Sequence, residues 1–219
     1  KEKVKILFAV ESGSRAWGIE SENSDYDVRF VFARLTDHYL SINKKADMIS
    51  GYYDKHGDAC PQEGCFIDMC GFDIYKFVSM LQSSNPTVID WLRSDIIYYG
   101  QINNAFKKWA EDNFNPASLF HHNRSMCKEN YMKYIKSRSS VSYKKYLYAM
   151  RGLFNALWVQ QNNMLPPNDF NETVKWFSEN IDRLIGMKIG EIIKLKKDSR
   201  EKEIIQNIVN IDEYIESFL

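Results

Sequence analysis

A Gly-Ser pair and an Asp-x-Asp pair, separated by ten residues, constrain this chain more than any other feature. Gly13 and Ser14 follow the apolar run VKILFAV at residues 4–10, which predicts a buried strand. A Gly-Ser sequence at this place ends the strand and opens a helix, where backbone N–H groups can bind phosphate oxygens. We therefore expect a phosphate-binding turn at Gly13 and Ser14.

The Asp-x-Asp pair opens a second predicted strand over residues 26–32. Side chains two apart on a strand share a face, so Asp25, Asp27 and Arg29 should point one way and the apolar residues between them the other. Two carboxylates about 7 Å apart on a strand suit Mg²⁺, which takes oxygen ligands together with phosphate. A bound phosphate beside a carboxylate-held metal predicts nucleotidyl transfer.

Four phrases, in chain order, resemble one known family: ESGSRAWG, SDYDVRFVF, SNPTVIDWLRS and KKYLYAMRGLFNALW. Gly13-Ser14 and Asp25-Tyr26-Asp27-Val28 match position by position the fingerprint of the DNA polymerase beta superfamily of nucleotidyltransferases, which is Gly-Ser followed by Asp-hydrophobic-Asp-hydrophobic. More narrowly, the phrases look like the predicted nucleotidyltransferases associated with RNA-repair operons. The resemblance covers about residues 4–170.

The resemblance implies a third carboxylate on a strand next to the first pair, because a base or a metal-bound water must take the proton of the attacking hydroxyl. Asp68 lies inside the short predicted strand 65–69, and Asp73 precedes an apolar pattern with helical spacing. We favour Asp68, since Asp73 is better explained as a helix N-cap. Asp25, Asp27 and Asp68 are thus the predicted catalytic residues and ligands of two Mg²⁺ ions.

Two groups of residues are candidates for binding the nucleotide. Around the turn, Gly13 and Ser14 would hold the terminal phosphates, and Arg15 or Arg29 would neutralise their charge, because the planar guanidinium matches phosphate. The alternative for each arginine is a surface or salt-bridge role.

The second group lies in the predicted helix after Ser142, where Lys144, Tyr148 and Arg151 fall at i, i+4 and i+7 on one face. A cation–aromatic row of this kind can bind triphosphate and stack a base. The alternative is an ordinary solvated helix face.

The order of the predicted elements indicates an α/β (α+β) protein: a small mixed-sheet nucleotidyltransferase domain at 1–100, followed by an all-helical domain at 101–219, with the active site in the cleft between them. Residues 36–64 are polar and contain glycine and proline, which predicts a long irregular connection. Near the end of the chain, Asp198 and Glu201 predict a capping box before a final helix that includes Ile204 and Ile205.

Composition limits the partners and the location. The formal net charge is zero, so no global basic field attracts nucleic acid and any RNA contact must be local. Four cysteines without a signal peptide favour a reducing cytoplasm, and no stretch reaches the roughly 20 apolar residues that cross a bilayer. Because the chain begins with a lysine close to a strand, we expect the natural N-terminus to be missing.

The predicted reaction is Mg²⁺-dependent transfer of a nucleoside monophosphate from a nucleoside triphosphate to a hydroxyl, with ATP as the default donor. The resemblance suggests that the hydroxyl belongs to an RNA end, such as a tRNA 3′ end, in RNA repair. A protein hydroxyl is the nearest alternative, as in antitoxin-type members of the superfamily. A non-catalytic nucleotide-binding or RNA-binding module is the alternative from a different class.

Overall fold

The computed structural model describes residues 3–62, 65–138, 140–200, 204–206 and 208–219. These residues form two compact units. The first unit is Lys1–Ala16 with Asp25–Asn113, and the second unit is Trp17–Ser24 with Phe114–Leu219. Residues 17–24, which follow the Gly-Ser turn in the sequence, therefore group with the mainly helical second unit.

A five-stranded mixed sheet forms the centre of the first unit. Its strands are β1 (Lys5–Glu11), β2 (Tyr26–Ala33), β3 (Met48–Tyr53), β4 (Ile67–Asp73) and β5 (Ile97–Gly100). Their order is β3-β4-β2-β1-β5, in which β2 and β4 run parallel and the other neighbours run antiparallel. This mixed sheet confirms the predicted fold class.

Among the described residues of the first unit, the helices are α1 (Gly13–Ala16), α2 (Thr36–Leu40), α3 (Ile74–Gln82), α4 (Pro86–Leu92) and α5 (Asn104–Asn113). Asp73 caps α3 by accepting the Tyr75 N–H at 3.0 Å, as its sequence position predicts. Asn85 caps α4 in the same way, with Pro86 at the first helical position. Both helix starts are confirmed.

The alternation of β2 separates apolar from polar side chains. Phe30 and Phe32 are buried on one face in a cluster with Ala9, which leaves Asp27 and Arg29 on the other. That second face is apolar further along the strands, where Phe72 of β4 stacks on Trp91 of α4 at 4.6 Å between ring centres. Helices therefore cover the face at one end of β2 and β4, and the carboxylates lie at the other end.

The prediction of an irregular connection over residues 36–64 is wrong for part of its length. It contains α2 and β3, and β3 pairs antiparallel with β4 at the edge of the sheet. An edge strand is covered by a neighbour on one side only and stays half exposed, so its sequence MISGYY carries no continuous apolar run. Once β3 is in place, β4 extends to Asp73 rather than ending at residue 69.

The second unit is built around one long buried helix. Its helices are α6 (Pro116–Asn130), α7 (Tyr143–Asn162), α8 (Phe170–Asn180), α9 (Arg183–Leu195) and α10 (Val209–Phe218), with wider π-type turns at Tyr131–Ile135 and Lys196–Arg200. Leu147, Met150 and Phe154 of α7 are fully buried, which confirms the apolar stripe of this helix. Phe154 stacks on Phe177 of α8 at 3.8 Å.

The last part of the chain differs from the prediction. A short strand, β6 (Ser140–Ser142), pairs with β7 (Ile204–Gln206), and the final helix begins only at Val209. Glu201 of the predicted capping box lies outside the described residues. Across the described part of the chain, none of the helices has the length and apolar character needed to cross a membrane.

Candidate active site

Two of the predicted catalytic carboxylates lie side by side. The parallel pairing of β2 and β4 sets Asp27 opposite Asp68, and a third side chain joins them. Arg29 Nη2 donates to Asp27 Oδ1 at 2.9 Å and to Asp68 Oδ2 at 2.9 Å. Because both oxygens contact the same nitrogen, the separation between them is at most twice the length of one hydrogen bond. Arg29 Nη1 also donates to the Asp68 carbonyl at 2.8 Å.

Arg29 is an ion-pair partner of both carboxylates. Its side chain is 16% exposed. Burial alone would lower its pKa, but the negative charge of Asp27, with the hydrogen bond and charge of Asp68, raises it overall. The salt-bridge alternative for Arg29 is therefore the arrangement that the structure has, and a phosphate contact of this residue stays a prediction.

The third predicted carboxylate, Asp25, is exposed just before β2. The negative charges of all three acids affect the pKa of a neighbouring thiol, that of Cys65. Burial raises the pKa of Cys65, and nearby negative charges, among them Asp25, Asp68 and Asp27, raise it further. Asp27 and Asp68 are adjacent on β2 and β4, and Asp25 lies at the solvent two residues before Asp27. Asp73, the rejected alternative, is buried at the far end of β4, where it caps α3 and accepts a hydrogen bond from Tyr39.

The Gly-Ser turn packs directly against Asp27. Gly13 has φ of +63°, a conformation that favours glycine, and a Cβ atom there would overlap Asp27 Oδ2. The Ser12 N–H donates to the Asp27 carbonyl at 2.9 Å, and Ser14 is buried. The two halves of the sequence signature are therefore adjacent in space.

Arg15 lies at the exposed rim beside Asp25. Its guanidinium carbon is 4.0 Å from the centre of the Tyr26 ring, and its Nε is 3.4 Å from the Asp25 carbonyl. Stacking on an aromatic ring restrains an arginine without neutralising its charge. A role for Arg15 toward phosphate stays a prediction.

Sequence reasoning missed Glu11. This residue ends β1, and its side chain is completely buried. Glu11 Oε1 accepts the backbone N–H of Asp27 at 2.8 Å, and Oε2 accepts the Tyr98 hydroxyl. Burial, followed by the hydrogen bond and charge of Glu11, raises the pKa of Tyr98. The available signal was an acidic residue at the end of a buried apolar run.

The second predicted nucleotide-binding group lies on α7 of the second unit. Lys144 Nζ is 5.9 Å from the Tyr148 ring centre, and Arg151 and Tyr148 both contact Trp17, at 4.0 Å and 5.4 Å. The prediction that Lys144, Tyr148 and Arg151 share one face is confirmed. Arg151 is 3% exposed, so it is part of the packing around Trp17. Contact with a nucleotide stays a prediction for all three.

The segment Trp17–Ser24 is fastened within the second unit by residues that the sequence did not point to. Lys196 is fully buried, and its Nζ donates to the Ile19 carbonyl at 2.7 Å and to Ser24 Oγ at 3.4 Å. Asn171 Nδ2 donates to the Gly18 carbonyl at 3.0 Å. The residues between the Gly-Ser turn and Asp25 are therefore held by hydrogen bonds to parts of the chain far away in sequence.

The donor set of the carboxylate pair fits Mg²⁺. Within the described ranges, no group of three or more His, Cys, Asp or Glu side chains is arranged to hold a metal ion. Mg²⁺ does not require such a cage, since proteins commonly bind it through one or two carboxylates together with substrate phosphates. Asp27 and Asp68, with the Gly13 turn against Asp27, supply that kind of partial site.

Comparison with known proteins decides the family. Residues 1–219 match the family described as the RNA repair pathway DNA polymerase beta family. The chain belongs to this family. The protein is a nucleotidyltransferase.

Two relatives illustrate the range of this similarity. The chain is 31% identical over 216 residues to the uncharacterized protein YcgL of Bacillus subtilis (strain 168), covering 98% of this chain and 78% of the relative. A solved structure, spectinomycin adenyltransferase AAD(9) from Enterococcus faecialis with ATP and spectinomycin, has a TM-score of 0.51 at 13% identity, covering 97% of this chain and 90% of that one. The second likeness shows the shared nucleotidyltransferase fold.

Proposed function

We propose that this member of the RNA repair pathway DNA polymerase beta family transfers a nucleoside monophosphate from a nucleoside triphosphate to a hydroxyl of an RNA end, in an Mg²⁺-dependent reaction. The observation that carries the proposal is the pairing of Asp27 with Asp68 directly beside the Gly13-Ser14 turn. Carboxylates for a hard cation and backbone donors for phosphate are the two components that nucleotidyl transfer requires.

In the proposed mechanism, backbone N–H groups at Gly13 and Ser14 hold the terminal phosphates of the nucleotide. Asp27 and Asp68, with Asp25 at the rim, would hold the two proposed Mg²⁺ ions. When bound, Mg²⁺ stabilises the charge of the leaving pyrophosphate and lowers the pKa of the attacking hydroxyl. The acceptor oxygen forms a bond to the α-phosphorus, the bond from that phosphorus to the bridging oxygen breaks, and pyrophosphate leaves.

Asp68 is the proposed acceptor of the proton that the attacking hydroxyl releases. It lies on β4 next to Asp27, and its partner Arg29 keeps the two carboxylates oriented toward each other. Arg15, restrained on Tyr26 beside Asp25, is the proposed counter-charge for phosphate oxygens. A preorganised cation of this kind stabilises charge that develops during the transfer.

ATP is the proposed donor, with Lys144, Tyr148 and Arg151 as proposed contacts to the triphosphate and the base. The related adenyltransferase was solved with ATP, which supports adenine as the first base to test. The cation and the ring on α7 are a suitable combination for a nucleotide. We propose a cytoplasmic location, because all four cysteines are free thiols.

The proposal of an RNA end as the acceptor, a tRNA 3′ end among others, rests on the family description. A protein hydroxyl is the alternative acceptor. The solved relative is a spectinomycin adenyltransferase, which adds a small molecule to the acceptors worth testing. Because one fold serves many acceptors, the acceptor must be identified by experiment.

The test follows radioactive label from each of four α-labelled nucleoside triphosphates. The protein is incubated with Mg²⁺ and with purified total RNA, total protein or spectinomycin in separate reactions. Asp27→Asn runs beside the parent, and Asp37→Asn, which removes an exposed carboxylate from α2, is the matched control. We expect label on RNA with the parent and Asp37→Asn, and none with Asp27→Asn or with EDTA.

Each other outcome changes the proposal in a defined way. Label on protein alone, or on spectinomycin alone, would replace the RNA acceptor and keep the transfer chemistry. If Asp27→Asn still transfers label, Asp27 is not required for the reaction. An absence of label in all three mixtures would contradict the proposed transfer and favour a nucleotide-binding or RNA-binding module.

A further inference from the structure

We propose that Glu11 is a positioning residue, which fixes the backbone of Asp27 and so sets the place of the Asp27 carboxylate in the metal site. This inference rests on the proposed Mg²⁺-dependent transfer and adds a residue that the sequence signature does not include. The carboxylate of Glu11 is fully withdrawn from solvent, which is unusual for an acidic side chain.

The burial of Glu11 requires an explanation. Moving a carboxylate out of water is strongly unfavourable unless hydrogen bonds replace the lost hydration. Both oxygens of Glu11 have such partners, Oε1 the Asp27 N–H at 2.8 Å and Oε2 the Tyr98 hydroxyl. An apolar side chain at the end of β1 would avoid this cost. The role of the carboxylate therefore lies in the two groups that it binds, the Asp27 N–H and the Tyr98 hydroxyl.

The main chain of Glu11 is fixed as firmly as its side chain. The Glu11 N–H donates to the Ile96 carbonyl at 2.9 Å. The hydroxyl of the buried Ser94 donates to the Glu11 carbonyl at 2.7 Å. Glu11 is thus anchored to the segment that leads into β5, and its side chain reaches β2 from a rigid base.

The bond to Asp27 occurs where the regular strand pairing stops. The pairing of β1 with β2 ends at Glu11 opposite Val28. One residue earlier on β2, the Asp27 carbonyl still accepts from the Ser12 N–H at 2.9 Å. The chain then turns away at Gly13, and Glu11 Oε1 takes the place of the backbone carbonyl that would otherwise accept the Asp27 N–H.

Glu11 therefore extends the pairing of β1 and β2 by one hydrogen bond at the catalytic residue. Catalytic groups must be held to about 0.5 Å to function. Residues that orient a metal ligand without touching the metal typically change metal affinity or activity by about 10- to 100-fold when they are removed. We expect an effect of that size for Glu11.

Three variants separate positioning from simple stability. Glu11→Ala removes the acceptor for the Asp27 N–H. Glu11→Gln places an amide oxygen where the carboxylate oxygen was, so metal affinity and activity should stay near the parent values. Tyr98→Phe is the matched control, because it removes the other partner of Glu11 and leaves the bond to Asp27 intact.

Two measurements are made on each purified protein. Titration with Mn²⁺ alone, followed by the electron paramagnetic resonance signal of the free ion, gives a metal Kd without any catalysis. Label transfer gives kcat and KM for the nucleotide. For Glu11→Ala we expect a Mn²⁺ Kd about 10-fold higher and a kcat about 10- to 100-fold lower, with KM little changed, whereas Glu11→Gln and Tyr98→Phe should stay within about 3-fold of the parent.

The proposal is overturned if Glu11→Ala keeps the parent's Mn²⁺ Kd and kcat, or if Tyr98→Phe loses as much as Glu11→Ala. If Glu11→Ala does not fold, Glu11→Asp replaces it, because its shorter side chain keeps the charge and withdraws the oxygen from the Asp27 N–H. A parent protein that neither binds Mn²⁺ nor transfers label would contradict the proposed function as well, which distinguishes that failure from a failure of Glu11 alone.

Discussion

The carboxylate site of the first unit and the Lys144–Arg151 face of the second unit both carry charged side chains, but they hold their charges in different ways. In the first unit, Arg29 pairs with Asp27 and Asp68. In the second unit, Arg151 lies on the Trp17 ring and is almost fully buried. The carboxylates that Arg29 pairs with can exchange partners with an incoming cation, whereas Arg151 has little exposed surface.

We therefore expect the two regions to respond differently to mutation. Changes around Asp27 should alter metal binding and catalysis more than folding. Changes to the buried cations that fasten Trp17–Ser24 should alter folding more than catalysis. The following variants test this contrast, starting with the largest expected effect.

Gly13→Ala should reduce label transfer by more than about 100-fold. A Cβ atom would overlap Asp27 Oδ2, and a displacement of about 1 Å in a catalytic group can cost that factor. Gly57→Ala is the control, because Gly57 also has a positive φ, of +87°, while its Cβ would meet open space. Both changes add backbone strain, so equal loss of activity in the two variants would contradict a role of the turn in placing Asp27.

Arg29→Gln should make stability depend on metal. Without the guanidinium, Asp27 and Asp68 lose their shared partner, and the free energy of unfolding without metal should fall by about 1–3 kcal/mol. Mg²⁺ binds the folded state and should restore part of this loss. The measurement is thermal unfolding of parent and variant with and without Mg²⁺. Equal Mg²⁺-induced shifts in Tm would show that the cation and Arg29 do not share the same carboxylates.

Lys196→Met should reduce the free energy of unfolding by about 1–3 kcal/mol, because the buried Ile19 carbonyl loses the hydrogen bond from Lys196 and Ser24 Oγ loses one of its hydrogen bonds. Lys197→Met is the control at an adjacent, exposed lysine and should change little. Chemical denaturation measures the free energy, and label transfer at low temperature should stay within about 3-fold of the parent. A folded Lys196→Met protein that has lost transfer entirely would break the contrast between the two regions.

Lys144→Ala should have the smallest effect. If the α7 face contributes to triphosphate binding, KM for the nucleotide should rise about 3-fold while kcat and stability stay near the parent values, as expected for one half-buried charge contact worth less than about 1 kcal/mol. Steady-state kinetics with ATP measures both constants. An unchanged KM would leave α7 with a packing role only.

Local rules in the sequence predicted a large part of the first unit. The alternation of β2, the N-cap at Asp73 and the Asn85-Pro86 helix start all depend on residues that are close together in the chain, and the structure has each of them. The proximity of Asp68 to Asp27 depends on a strand pairing, which the family resemblance supplied and the residues alone did not.

The contacts that the sequence did not predict connect distant parts of the chain. Glu11 reaches Tyr98, and Lys196 reaches Ile19. Such bonds are fixed by how sheets and helices pack, which no local pattern encodes. The edge strand β3 was missed for a related reason, since an edge position removes the continuous apolar run by which a buried strand is recognised.

The most direct test of the central claim compares two carboxylates of the same strand, β4. Asp68→Asn removes the charge next to Asp27, whereas Asp73→Asn changes the N-cap of α3 to another residue that caps well. Mg²⁺-dependent pyrophosphate release is measured for both variants and the parent. We expect a loss of about 100-fold or more for Asp68→Asn and activity within about 2-fold of the parent for Asp73→Asn. Parent-like release by Asp68→Asn would contradict a catalytic site built on Asp27 and Asp68.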